Sequence, residues 1–557
     1  MDGAQCRQQQ HRRPGPRPQK TFREHFVRSL PDYSGPYSVG TMDIEVPVRQ
    51  PRTFSHIKRS HSHVLRMDTV LFTIYYPCES SSYSVTANKP SRPTWMPRPR
   101  VSTCRGYARF LSIPHPPLTA YAAATTMFTK LPAFRNAKLA GAGPNGWPDA
   151  HGPADSEGNA PSGQEKSVFP VIMFSHGLGG SRTSYSAICG EMASYGFIVV
   201  AMEHRDRSGA RTYVNLPPAD GVQGVAASKP GHGRSYVVDY LFPKNNPRDT
   251  LPRNKKGVDV ELRTAQTEMR TAEMEEVYQV LQLINDGHGE SVSAANLRKE
   301  GNVGSSSKGL ENVDWRDWKQ RMLLRDVTVM GHSFGGATTV QVLRKKDDFP
   351  WAGQGIVLDA WGPAMPKSGG PHESLQRPFL AINSEVFMHW TNNFQSLVDL
   401  CEEAKSNGSP CWMLTIKGST HLSQSDFSVL YPRLMSFVIK TVVHPRRAIY
   451  LTVNASLEFL EEILPPGQRL RPDWPKEGIL DAQPLDSGKL PSTRKPTDKW
   501  MAARLRIPDE LSLRLKIRFR GKRKAPKVAR DIHGKPLVGI VNLMASDEVW
   551  MHYSSST

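Results

Sequence analysis

Cysteine is scarce in this chain: six in 557 residues, at positions 6, 78, 104, 189, 401 and 411. None sit as C-x-x-C or at metal-ligand spacing, so neither a zinc site nor a disulfide framework is expected. That usage fits a reducing compartment. Long apolar runs are missing as well. No stretch approaches the ~20 apolar residues of a membrane-spanning helix. The first 25 residues are polar and basic and lack the apolar segment of a secretory leader. Glycine stands at position 3 rather than 2, which does not match the N-myristoylation pattern. A cytoplasmic protein, at most peripherally attached to a membrane, is expected. Acidic residues are outnumbered, 52 Asp and Glu against 72 Lys and Arg, for a net charge of +20. Such a chain favours anionic surfaces. No nucleic-acid motif is present, so no nucleic-acid partner is expected. Nothing in the sequence bears on oligomeric state.

Hydrophobic residues make up only 38%, beside 43 glycines and 45 prolines. Long irregular segments must therefore dilute a compact core. Residues 1–30 are rich in Arg, Gln and Pro and read as a disordered basic tail. Strands are predicted at Val70–Pro77, Phe169–Phe174, Gly196–Ala201, Gly355–Leu358, Pro378–Ile382 and Trp412–Ile416. Helices are predicted over Ser181–Tyr195 and over Leu262–Ile284, where apolar residues recur at helical spacing. Alternating strands and helices imply an α/β domain over 31–465 with a central, mostly parallel sheet flanked by helices. Insertions are expected near 139–166, 205–257 and 285–312. Residues 466–557 read as a basic C-terminal extension. Within it, Arg504–Arg530 carries eleven Lys or Arg and two acids. Leu511, Leu513, Leu515, Ile517 and Phe519 alternate there with polar and basic residues. That predicts a strand with one apolar and one basic face: a charge-protected edge first, a contact for anionic membrane second, and a nucleic-acid contact last.

One segment carries chemistry. Val327–Met330 is a β-branched run that leads into Gly331-His332-Ser333-Phe334-Gly335, and helix-compatible residues follow. This is the G-x-S-x-G nucleophile elbow in its context of strand, sharp turn and helix. It makes Ser333 a candidate nucleophile. Serine needs a base, a group to orient the base, and donors for the oxyanion. In α/β hydrolases these follow the order serine, acid, histidine. His421, after the strand Trp412–Ile416, is the candidate base. Two acids compete: Asp359, ending the strand after the elbow, and Glu385, after the next strand; position alone favours Glu385 slightly. The turn Ser175-His176-Gly177-Leu178-Gly179-Gly180 follows a buried strand and resembles an HGGG-type oxyanion turn. Its candidate donors are the backbone N–H groups of Leu178 and Phe334. No lysine follows in P-loop order, so a phosphate cradle is not expected. His176 has no ligand partner at metal spacing and reads as structural. No cofactor or metal is expected.

Taken together, several segments resemble the platelet-activating factor acetylhydrolase family of plasma and type II intracellular lipases. They are Gly35–Gly40, Phe174–Gly179, Gly196–Val199, Glu203–Ser208, Gly331–Thr338, Leu358–Trp361, Ile382–Glu385 and Asn454–Leu457. The resemblance covers roughly residues 35–465. It implies an α/β-hydrolase fold and a triad of Ser333, Asp359 and His421, displacing Glu385. It also implies Leu178 and Phe334 as oxyanion donors. The implied activity is calcium-independent hydrolysis of short or oxidised sn-2 acyl chains of glycerophospholipids, at membrane or lipoprotein-like interfaces. A general carboxylesterase or lipase with the same triad is the alternative, and an inactive membrane adaptor a further one. Glu203-His204-Arg205-Asp206 reads as a structural network near the site. The insertions flank the region that would set acyl preference, which the resemblance does not carry over.

Overall fold

A computed structural model describes residues 28–59, 61–79, 91–141, 167–217, 234–251, 254–304, 309–365, 373–465, 474, 476–485 and 545–555. Its centre is a ten-stranded sheet. The strands are β1 (Ser38–Thr53), β2 (Arg66–Cys78), β3 (Phe134–Arg135), β4 (Phe169–Ser175), β5 (Ile198–Glu203), β6 (Met322–His332), β7 (Ala352–Leu358), β8 (Phe379–Ser384), β9 (Cys411–Ile416) and β10 (Val549–Tyr553). Their order across the sheet is β10-β9-β8-β7-β6-β4-β5-β2-β1-β3. From β9 to β5 every neighbouring pair is parallel. The β5–β2, β2–β1 and β9–β10 pairs are antiparallel. The mostly parallel sheet is as the sequence predicts.

The parallel strands are continuous apolar runs because helices cover both faces. Side chains alternate between two cores. Ile172, Phe174, Val199 and Ala201 face one core with Ile188 and Met192. Val171, Met173, Ile198 and Val200 face the other with Met269, Val277 and Leu281. Five helices matter below: α1 (Arg100–Phe110), α2 (Ser186–Ser194), α3 (Val260–Leu283), α4 (Phe334–Arg344) and α5 (Pro445–Ile463). The α3 helix begins at an Asp259 cap, whose carboxylate accepts the Leu262 N–H.

Several expectations change. The helix predicted from Ser181 starts at Ser186, because residues 181–184 form a turn with Ser181 and Ser184 hydroxyls 3.0 Å apart. The described residues of the predicted 285–312 insertion, 285–304 and 309–312, are not simply a surface segment. Val292, Leu297 and Leu310 are buried, and the Asn285 side chain accepts the Met322 N–H. These anchors follow no period, so pattern reading passes over them. The α1 helix and a helix over His115–Thr125 carried no prediction. Residues 211–215 and 235–239 form a two-stranded ribbon inside the predicted 205–257 insertion. Arg28 and Leu30, within the predicted N-terminal tail, are buried. Within the predicted C-terminal extension, β10 pairs with β9, and Arg447 binds both Glu477 and Glu548. Residues 142–166 and Arg504–Arg530, with its alternating pattern, lie outside the described residues. Among the described residues no helix is long and apolar enough to cross a membrane.

Candidate active site

The elbow is built by close backbone approach. Ser333 adopts φ 57° and ψ −117° between β6 and α4, a conformation strained for a residue with a side chain. Glycine is required on both sides for space. A Cβ on Gly331 would lie 2.1 Å from the Gly335 carbonyl oxygen. One on Gly335 would lie 2.0 Å from the Ser175 carbonyl oxygen. The strained turn is held from the next strand: Ser333 N–H donates to Leu358 O at 2.9 Å, and Trp361 N–H donates to Ser333 O at 3.0 Å. The α4 N-terminus, with its partial positive charge, starts at this serine.

Asp359 directly follows β7 and is fully buried. Its carboxylate accepts the Ser384 N–H at 2.5 Å and the Ser384 hydroxyl at 2.6 Å. Its Oδ2 lies 3.0 Å from His421 Nδ1. The His421 ring is sandwiched between Phe387, at 4.2 Å, and His332, at 4.3 Å. Glu385, the acid that position alone favours, does something else: it accepts the Gly418 N–H at 2.6 Å and so shapes the loop leading to His421. The structure thus brings Asp359 to His421.

The turn after β4 lies against the elbow, since a Cβ on Gly177 would approach Ser333 Cβ to 2.8 Å. Its N–H groups are largely committed. Gly177 donates to the Tyr185 hydroxyl at 3.2 Å, Gly179 to Ser208 O at 2.8 Å, and Gly180 to Gly177 O at 3.1 Å. Among the described residues, no hydrogen bond takes up the Leu178 N–H. Phe334 is the first residue of α4, where an N–H has no intrahelical acceptor. The Leu178 side chain packs against a buried cluster that includes Phe334 and Trp361.

Beneath the turn lies a buried polar network that sequence reading names only in part. Arg270 of α3 is fully buried. It binds Asp206 at 2.7 Å, the Ser208 hydroxyl at 2.6 Å and the His176 carbonyl at 2.8 Å. Its guanidinium also lies 4.4 Å from the Phe334 ring centre. His176 donates through Nδ1 to Gly177 O and accepts the His204 N–H at Nε2. Burial, then Arg270, lowers its pKa to about 4, so the ring is neutral. His204 Nε2 lies 2.8 Å from Ser175 Oγ, and its Nδ1 lies 2.6 Å from Glu273. Burial lowers the His204 pKa well below its ordinary value and raises that of Glu273 to about 8. The His204–Glu273 pair therefore holds one proton and no net charge. This serine–histidine–carboxyl chain is sealed from solvent, which fits a structural role. Glu203 pairs with Arg182 at 3.3 Å, and Arg205 with Glu45 at 2.7 Å.

His332, Asp359 and His421 offer ligand atoms within 4.8 Å of one another. The His332 nitrogens and the Asp359 and His421 atoms that face each other all have hydrogen-bond partners already. The set therefore fits a hydrogen-bonded chain better than a cation site. Tyr185, Phe387, Arg270 and Glu273 carry no local signal that sequence reading could use. Each meets the site through chain-distant contacts.

A mostly parallel sheet with a strained serine between strand and helix is an α/β-hydrolase fold. A family model described as platelet-activating factor acetylhydrolase, isoform II, matches residues 149–469. The chain belongs to that family. It is 35% identical to platelet-activating factor acetylhydrolase of Gallus gallus over 301 residues, 53% of this chain and 62% of that protein. The Canis lupus familiaris protein of the same name is 30% identical over 329 residues, 58% of this chain and 63% of its own. A Schizosaccharomyces pombe protein named "Putative phospholipase A2" is 26% identical over 468 residues, 78% of this chain and 92% of its own. The chain thus spans under two thirds of the length of these two vertebrate relatives.

Proposed function

We propose that this chain is a serine esterase that hydrolyses the short or oxidised sn-2 acyl ester of glycerophospholipids without calcium. The observation that carries the reading is the Asp359–His421 hydrogen bond, 3.0 Å long, formed by residues in the chain order the elbow requires. Family membership and the names of the relatives support the phospholipid substrate.

In this reading His421 takes the Ser333 hydroxyl proton as the oxygen attacks the sn-2 carbonyl carbon. Charge on the carbonyl oxygen is met by the N–H groups of Leu178 and Phe334, each worth ~3 kcal/mol in the transition state. These donors do the work a cation would otherwise do. The imidazolium, held by Asp359, protonates the departing lysophospholipid alcohol. Water then gives a proton to His421 and attacks the acyl-serine, releasing the short acid and restoring the serine hydroxyl. Access from a lipid surface is supported by exposed Val101 and Leu111 on and beside α1, with exposed Ile113 and Phe128 nearby. The same helix reaches the turn, since Phe110 abuts Gly179.

The test is an acyl-length series on phosphatidylcholine, from acetyl upward, with Ser333→Ala as control. Rapid loss of turnover with chain length, abolished by the substitution, is expected. Cleavage of small aryl esters with inertness toward every phospholipid would select a general carboxylesterase instead.

A further inference from the structure

The mechanism above leaves His332 and Tyr185 unused, although both are buried against it. His332 is the second residue of the elbow. Its Nε2 lies 3.0 Å from the main-chain carbonyl oxygen of His421. A carbonyl can only accept, so Nε2 carries the hydrogen. Burial, then the neighbouring His421, pushes the His332 pKa well below its ordinary value, so the ring is neutral. Its Nδ1 is therefore a lone pair, and it accepts the Tyr185 hydroxyl at 2.8 Å. Tyr185 Oη in turn accepts the Gly177 N–H at 3.2 Å. Every proton in this run has one direction: Gly177 N–H to Tyr185, Tyr185 O–H to His332, His332 N–H to His421. The run starts in the turn that presents Leu178, passes through the residue before the serine, and ends on the backbone of the candidate base.

We infer that Tyr185 and His332 are positioning residues, which lock the oxyanion turn and the His421 backbone into one register across the elbow. This rests on the serine-esterase reading. The geometry explains what the pair does beyond filling space. The Gly177 N–H is taken by Tyr185, which fixes the His176–Gly177 peptide, one before the peptide that carries the Leu178 N–H. The His421 carbonyl is taken by His332, whose ring also stacks on the His421 ring at 4.3 Å and 30°. Donors and base must hold to a fraction of an ångström for the transition state to be met. Neither hydrogen bond touches substrate, so their loss should fall on turnover rather than on substrate binding.

The experiment uses the full chain with a soluble short-chain aryl ester and a fluorophosphonate label. Tyr185→Phe keeps the ring, which packs 4.8 Å from Phe174, and removes only the hydroxyl. Two buried hydrogen bonds are lost, so kcat should fall about tenfold with KM within about twofold. Labelling of Ser333 should slow by the same factor. His332→Phe keeps a stacked ring without either bond and should cost at least as much. Because Tyr185 acts largely through His332, the double variant should lose less than the product of the two single losses. Wild-type kcat in Tyr185→Phe, or losses that multiply fully, would overturn the inference. If His332→Phe fails to fold, Tyr185→Phe decides alone. Turnover that survives Ser333→Ala would instead overturn the serine reading, and the relay with it.

Discussion

Arg270→Met is the sharpest probe of how the buried network supports the site. The guanidinium is fully enclosed and touches Asp206, Ser208 and the His176 carbonyl at 2.6–2.8 Å. Methionine fills much of the volume but none of the bonding. Asp206, also fully buried, would keep, among the described residues, only the Ser208 N–H and hydroxyl as donors. Breaking a buried pair by removing one partner costs ~3–5 kcal/mol, because a charge is left without compensation. The same change frees the His176 carbonyl, two residues before Leu178, so turnover should fall too. Urea unfolding followed by tryptophan fluorescence reads the first effect, and ester turnover in the folded range reads the second. Adding Asp206→Asn removes the stranded charge and should recover about half of the lost stability without restoring turnover. A single variant within ~1 kcal/mol of wild type would refute the reasoning. So would a double variant no more stable than Arg270→Met.

Other predictions follow from the same geometry. Asp359→Asn should lower kcat by about 10³–10⁴, since an amide no longer enforces Nδ1–H on His421; steady-state kinetics checks this. Glu385→Gln should cost less than about tenfold, because the amide carbonyl still accepts the Gly418 N–H; equal losses in the two variants would refute the pairing. The His204–Glu273 pair holds one proton when folded, whereas the unfolded chain holds none on these groups above about pH 6.5. Stability from this pair is therefore lost as pH rises from about 6.5 through about 8. It is also lost below about pH 4.5, where the unfolded chain binds two protons. Glu273→Gln should flatten the alkaline limb in unfolding titrations. Replacing Val101 and Leu111 together with Glu should slow hydrolysis of vesicle-borne substrate and leave soluble-ester turnover within about twofold.

The elbow was legible because it is contiguous. Strand, two glycines, serine and helix occupy one stretch of chain, and sterics alone demand that pattern. Chain order and the strand before it single out His421, whose ring meets Asp359 in the fold. Which carboxylate meets His421 was not legible from position. Asp359 and Glu385 both follow parallel strands, β7 and β8, that lie side by side. Their loops turn differently, and only the folded loops show Asp359 against the His421 ring and Glu385 against the Gly418 amide. The buried anchors at Val292, Leu297 and Leu310 escaped because they have no period.

By itself, then, the sequence determined the local machinery: an elbow at Ser333, a glycine-rich turn at Leu178, and apolar strand runs that can only be buried in a covered parallel sheet. These depend on neighbours in the chain, where sterics and hydrophobic period act directly. Tertiary structure alone decided which side chains hold that machinery in register. Tyr185 meets His332 across 147 residues, His332 meets the His421 carbonyl across 89, and Arg270 meets the His176 carbonyl across 94. Hydrogen bonds of that kind are directional and extend only about 3 Å. They exist only once the sheet has brought distant strand ends together.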